Sequence, residues 1–336
     1  MFTNRPRTVR DPNAMFFRHL ALGAALGFAA AAGPALAQEY PSRPIRIIHG
    51  FTPGGPVDVT ARLMAAGLGE RFGQQAIVEG KPGAGGTVGA NFVAKSEADG
   101  YTLFLMASGH ATSPGLHKSL PYDAAEDFTM VSMLASSPFA IMTLPSSPYA
   151  TLQDLVQKAR TQPGKIDFGT GGVGSGMHLV AVLLQARTGA QMNHIPYKGG
   201  NAPTLALMAG EVPILFSSVA GMAPHVESGK IRMLAVTTKG RYAMLPNVPT
   251  VAETVSPDFD ARAWYALAGP KRLPPPVLAK LNEAALALLK RPDIADKIRA
   301  QGAEVWGTTP KEAQAFLASE VARWTKVIRD ERIAPQ

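Results

Sequence analysis

Residues 45–62 read Ile45-Arg46-Ile47-Ile48-His49-Gly50-Phe51-Thr52-Pro53-Gly54-Gly55-Pro56-Val57-Asp58-Val59-Thr60-Ala61-Arg62. The apolar run Ile45 to Ile48 has the composition of a strand, the glycines and prolines after it turn the chain sharply, and Pro56 suits a first helical position. A strand that passes through glycine straight into a helix is the opening unit of an α/β sheet. The turn amides sit at the positive end of the helix dipole and lack intrahelical acceptors, so the residues Thr52 to Val57 suit a carboxylate. A plain strand-to-helix connection has the same sequence, and both readings stay open on this stretch alone.

The device recurs downstream. Ala76-Ile77-Val78 reads as a second strand, and Lys81-Pro82-Gly83-Ala84-Gly85-Gly86-Thr87 as a second glycine turn that opens a helix. Tyr101 to Ala107 is a third strand, whose polar exit, with Ser108 and His110, falls near the first turn if the strands are parallel neighbours. Two further strands, about Met130 to Ala135 and Phe139 to Leu144, lead to Pro145-Ser146-Ser147-Pro148, which reads as a linker. Thr151 with Asp154 then has the spacing of a capping box, and a strand at Lys165 to Gly169 runs into Thr170-Gly171-Gly172-Val173-Gly174-Ser175-Gly176-Met177-His178. Two such turns facing each other across a cleft describe a clamp for a small solute. Ala261 to Pro270 reads as an apolar strand that crosses back to the first unit. The expected architecture is therefore α/β and two-lobed, each lobe a mainly parallel sheet flanked by helices, with two strands as hinge: residues 38–144 and 264–336 in lobe 1 and 145–263 in lobe 2.

The chain has 336 residues, 46% hydrophobic and 17% charged, which is a globular composition. Arg18 and His19 precede the apolar run Leu20 to Ala32, and Ala35-Leu36-Ala37 supplies a small-x-small cleavage site, so residues 1–37 read as an export signal cut before Gln38. Met15 is an alternative start to Met1. The formal charge of +8 includes four arginines and one aspartate in that segment, leaving +5 for the mature chain. This mild, scattered excess attracts small anions and has no nucleic-acid stripe. There are no cysteines, which excludes disulfides and a lipidated N-terminal cysteine, so the expected address is the periplasm, free in solution.

The chain resembles the Bug-type periplasmic receptors, the substrate-binding components of tripartite tricarboxylate transporters. The resemblance rests on Pro53 to Arg62, Lys81 to Gly86, Asp99-Gly100-Tyr101-Thr102-Leu103, Gly174 to Leu179, Pro196-Tyr197-Lys198-Gly199-Gly200 and Leu245-Pro246-Asn247-Val248-Pro249-Thr250, in that order. It implies a type II periplasmic-binding-protein fold, a hinge-closing receptor that delivers a small carboxylate (di- or tricarboxylate, aromatic acid or acidic amino acid) to a membrane permease, and a monomer without cofactor. It also implies that Phe51 to Asp58 (Phe51, Thr52, Pro53, Gly54, Gly55, Val57, Asp58) hold one ligand carboxylate and that the turn Thr170 to His178, through Thr170, Gly171, Gly174, Ser175 and His178, meets the other end. Where the family often has acids, this chain has Pro213 and Ser217, which suggests a less acidic floor in the second lobe.

Other side chains have two readings each. Asp58 shapes its turn or contacts ligand through water. Lys198, beside Tyr197, pairs with a distal carboxylate or is a solvated surface lysine, and Trp264 walls the ligand or packs beneath the hinge. Ser175 and His178 are spaced like a nucleophile and base, but no G-x-S-x-G elbow accompanies them, and the dispersed histidines lack metal-site spacing. The reading is a binding protein and not an enzyme, with no metal. A partner of a histidine kinase that senses the same ligand is the alternative, and a periplasmic hydrolase the weaker one.

Overall fold

The computed structural model describes residues 1–2, 40–199 and 201–334. The proposed signal segment, residues 1–37, lies outside the described residues except at Met1 and Phe2, as does Gly200. Met1–Ser42 and Arg43–Gln336 form separate compact units, and all the described strands and helices belong to the second.

Strand β1 (Ile45–His49) leads through the first glycine turn into α1 (Pro56–Phe72). Strand β2 (Ala76–Gly80) leads through a short 3-10 turn (Ala84–Gly86) into α2 (Thr87–Ala94), and β3 (Thr102–Ala107) into α3 (Gly109–Leu116). These three strands are parallel, in the order β2-β1-β3, so their exits lie along one edge. In the second lobe β5 (Asp167–Thr170) pairs in parallel with both β6 (Asn193–Pro196) and β7 (Ile214–Ser218). Helix α4 (Leu152–Thr161) precedes β5, α5 (Gly176–Thr188) follows it, and α6 (Ala202–Met208) and α7 (Ala223–Glu227) flank β7. The chain closes with β8 (Arg232–Val236), α8 (Val251–Thr254), β9 (Arg262–Pro270), α9 (Pro275–Leu289), α10 (Pro292–Ala300), β10 (Glu304–Val305) and α11 (Pro310–Asp330). Capping boxes start α4 (Thr151/Asp154), α8 (Thr250/Glu253) and α11 (Thr309/Glu312), each satisfying helix-start donors that would otherwise be orphaned.

Strand β4 (Phe128–Thr143) differs from the sequence reading, which breaks it in two at Ser136-Ser137-Pro138. Its first part, Phe128 to Pro138, runs antiparallel to β9, and its second part, from Phe139, runs antiparallel to β7 and β8. Pro138 is the last residue of β4 paired with β9, so the N–H it lacks falls where the strand passes to its next partner. Its carbonyl still accepts from the Val219 amide at 2.9 Å. The parallel pairing thus belongs to the outer strands, while β4 and β9 between them run antiparallel to their neighbours, and the sheets are mixed.

Beneath β9 the core is anchored by a buried acid. Glu320 of α11, 7% exposed, accepts from the indole N–H groups of Trp264 at 3.4 Å and Trp324 at 3.1 Å, while Arg323 holds its other oxygen at 3.1 Å. Glu320→Ala should therefore lower the unfolding free energy by about 3 kcal/mol, because two buried donors lose their acceptor. Urea titration checks this, and a loss under about 0.5 kcal/mol would contradict the anchoring role.

Candidate functional site

The first glycine turn is organised by Asp58. Its carboxylate is 3% exposed and accepts from the Gly54 amide at 3.0 Å, from Arg62 Nε at 2.9 Å and from His49 Nε2 at 3.2 Å. Burial alone would raise its pKa, but the Arg62 hydrogen bond and the Gly54 amide outweigh that and hold it below the usual carboxylate range. His49 donates from Nε2, so its Nδ1 is the acceptor for the Phe51 amide, a long 3.4 Å contact. Burial lowers the His49 pKa, against the pull of Asp58. The turn is thus braced from within. Thr52 is engaged too: its amide and hydroxyl reach the Lys198 carbonyl of the second lobe at 3.4 and 3.2 Å.

Facing it in the second lobe, the turn after β5 is equally self-contained. Ser175 caps α5 by accepting from the His178 amide at 3.2 Å and donates to the Gly172 carbonyl at 2.7 Å. The Gly174 amide donates to His178 Nδ1 at 3.3 Å, and Thr170 Oγ1 contacts His194 Nε2 at 2.7 Å and accepts from the Gly172 amide at 3.1 Å. His178 stacks on His194 with centroids 4.4 Å apart. Burial drives both rings down to about 4, and they are neutral at pH 7.

Between the lobes lies a cavity of about 190 Å³, lined from lobe 1 by Gly50, Phe51 and the Gly83–Gly86 turn, and from lobe 2 by Gly171, Gly172, Val173, Pro196, Tyr197 and Lys198. A niche of about 10 Å³, the size of one water, adjoins it through Phe51, Gly85 and Gly86. The niche is walled by Thr87 and Gly109, the first residues of α2 and α3, and by Phe104, His110 and Tyr122. Two helix starts therefore converge on it. His110 donates from Nε2 to the Ala124 carbonyl at 2.8 Å, and its burial among Phe104, Tyr122 and Phe128 takes its pKa to about 4. Burial pushes the Tyr122 hydroxyl up to about 12. Lys198 is the one formally charged residue among those lining the two spaces.

Of the residues picked from sequence, Phe51, His110, Gly171, Tyr197 and Lys198 line these spaces. Thr52, Pro53, Gly54, Gly55, Val57 and Asp58 lie beside them, and the Gly54 amide expected to meet the anion is held by Asp58 instead. Ser108, Thr170, Gly174, Ser175 and His178 are buried, the last four bound into the second turn's own bonds. Trp264 is fully buried under α11 against Phe316 and walls nothing. Pro213 is no floor either: it precedes β7, which runs parallel to β5, so it lies at the sheet end away from the turn. Sequence reasoning missed Gly83 to Thr87 as lining residues, although it read them as a second helix-opening turn, passed over Gly109 within the polar exit Ser108 to Thr112 that it placed near the first turn, and missed Tyr122, which carries no local motif.

The buried imidazoles make stability depend on pH. His110 and His178 bind protons at about 4 in the folded chain and at 6.5 when unfolded, so below 6.5 the unfolded state gains protons and the folded state loses ground. Full stability is held above pH 6.5 and declines as pH falls towards 4, by up to about 1.4 kcal/mol per pH unit for each ring. Urea titrations at pH 7, 6 and 5 check the slope, and His110→Phe should flatten it even if it shifts the absolute value.

A family model described as "Tripartite tricarboxylate transporter family receptor" matches residues 60–333. The chain is 37% identical over 311 residues to protein BugT of Bordetella pertussis (strain Tohama I), covering 92% of this chain and 95% of that protein. Among solved structures, R. palustris Rpa4515 with adipate superposes with a TM-score of 0.83 at 34% identity, covering 89% of this chain and 100% of that one. MatC (Rpa3494) from Rhodopseudomonas palustris with bound malate gives 0.82 at 28% identity, covering 86% and 100%. With its two-lobed α/β fold and a cleft at the strand exits, the chain belongs to the tripartite tricarboxylate transporter receptor family.

Proposed function

We propose that this protein is a periplasmic receptor that captures a small dicarboxylate in the cavity between its lobes and presents it to a tripartite tricarboxylate-type permease. The observation that carries this reading is the adjacency of two spaces that share Phe51, Gly85 and Gly86, a niche at two helix starts of lobe 1 and a cavity that Lys198 of lobe 2 also lines. One carboxylate then lies against the amides around Gly86, Thr87 and Gly109, where dipole and donors favour negative charge, and the other is met by Lys198 and the glycine backbone at Gly171 and Gly172. Adipate and malate in the neighbouring structures make four- to six-carbon diacids the first ligands to test. We place the lobe boundaries where β4 changes partners, with Phe139 to Ala261 as the second lobe, and Pro138 and Ala261 at the two crossings.

A thermal-shift panel of diacids, aromatic acids and acidic amino acids tests the proposal, since a ligand bound only by the native state raises the melting temperature. At least one diacid should do so, and a panel without any shift would refute the reading. Lys198 is exposed, so Lys198→Ala should cost only about 1 kcal/mol, or roughly fivefold in Kd by titration calorimetry, the amides holding the rest. Loss of all binding in that variant would transfer the recognition to an ion pair.

A further inference from the structure

We infer that Gly109, a residue with no motif around it, sets how far the two lobes close. The inference rests on the hinge-closing receptor reading. Gly109 opens α3 in lobe 1, and a Cβ built on it would lie 2.9 Å from the Gly176 amide nitrogen and 3.4 Å from Ser175 Cα, both in lobe 2. Gly85 meets the same turn: its Cβ would lie 2.6 Å from the Gly174 carbonyl carbon and 2.7 Å from the Val173 oxygen. Contacts this short are with backbone, and the turn they press on cannot yield cheaply. Ser175 Oγ ties it to Gly172 at 2.7 Å and His178 Nδ1 holds the Gly174 amide at 3.3 Å. On the other side of the cavity the lobes are drawn together by Thr52 on the Lys198 carbonyl and by the Phe51 ring, 2.7 Å from where a Gly199 Cβ would stand.

The two glycines differ in what a side chain would do. Gly85 has φ +65°, so a side chain there strains its own turn. Gly109 is not among the positive-φ glycines, and a first helical position accepts alanine without strain. Gly109→Ala is therefore a wedge that leaves lobe 1 intact and acts only where lobe 2 arrives. The Gly109 amide belongs to the proposed anion site, whereas its missing side chain acts through lobe position, and interlabel distances recorded without ligand read the second role alone.

The chain has no cysteine, so spin labels can be placed on Val88→Cys of α2 and Leu205→Cys of α6, 47% and 61% exposed, one in each lobe. Interlabel distances are recorded by pulsed electron resonance without ligand and with adipate or malate. In the parent background a short-distance population is expected, and in Gly109→Ala it should move to longer distance with unchanged thermal stability. Affinity for whichever diacid binds should fall roughly tenfold or more. Gly109→Val should move it further, whereas Gly240→Ala, which faces open space, should match the parent. If Gly109→Ala reproduces a parent distribution that shifts with ligand, the inference fails while the hinge stands. If parent and Gly109→Ala share one unshifting short distance and the variant only melts lower, both fail, because the contact is then ordinary packing. A parent that never shows the short distance also overturns the inference.

Discussion

Strand β4 must serve two sheets at once, and the arrangement of the molecule depends on how it does so. At Ser137 and Pro138 it leaves β9 and joins β7 and β8, and at that crossing side-chain hydroxyls add to the backbone pairing. Ser137 and Ser218 share a 2.7 Å hydrogen bond, and the Tyr265 hydroxyl donates to Ser218 at 3.3 Å. Thr237, fully buried, contacts the Phe139 carbonyl at 3.1 Å, accepts from the Phe139 amide at 3.0 Å and donates to the Ala261 carbonyl at 2.8 Å, so one side chain ties both crossings together. Side-chain hydroxyls rotate to keep their partners, whereas a ladder fixes register and angle. The crossing is thus satisfied in its hydrogen bonds while no single partner strand runs through it, which is what a bend between two sheets requires.

Two sheets whose strand exits face one another bring helix starts together from both sides, and this decides the electrostatics of the cleft. Glycines from both lobes contribute much of the lining, with neutral His110 and Tyr122 at the inner end and one lysine at the rim. A buried cation would pay a desolvation cost in an empty cavity or need an acid beside it, whereas oriented amides carry partial positive charge already fixed in place and cost little to leave facing water. The first turn illustrates the opposite choice. There Asp58 accepts the Gly54 amide and is paired with Arg62, so one donor of that turn is satisfied by the protein's own anion, which braces it.

The strand–glycine–helix units, the capping boxes and the crossing at β9 were legible because each is a local pattern with a local cause. The continuity of β4 was not, since Ser136-Ser137-Pro138 reads as a break unless the change of partner strand is known. Which glycine turn faces the cavity was hidden for the same reason. Both Thr52 to Val57 and Gly83 to Thr87 open helices, and only the fold shows that Asp58 holds the Gly54 amide of the first while the second lines the cavity. Trp264 kept to its apolar reading, because the strand that carries it turns that face to α11 and not to the cleft. Gly109 and Tyr122 join the site from separate elements and have no spacing to announce them.

Glycine recurs on both walls of the cleft for two different needs that coincide. Presenting amides to an anion requires a backbone without a side chain in front of it, and bringing two lobes so close that an added Cβ would lie about 3 Å from the facing backbone requires the same. A residue such as Gly85 meets both demands at once: it lines the cavity and it abuts the Val173 to Ser175 backbone. In the proposed site, ligand contact and lobe contact are therefore adjacent parts of one surface, and an anion at the lobe 1 amides would lie beside the point where lobe 2 arrives. Binding energy gained at the amides is then available to the closed arrangement directly, without a chain of intermediate residues to carry it.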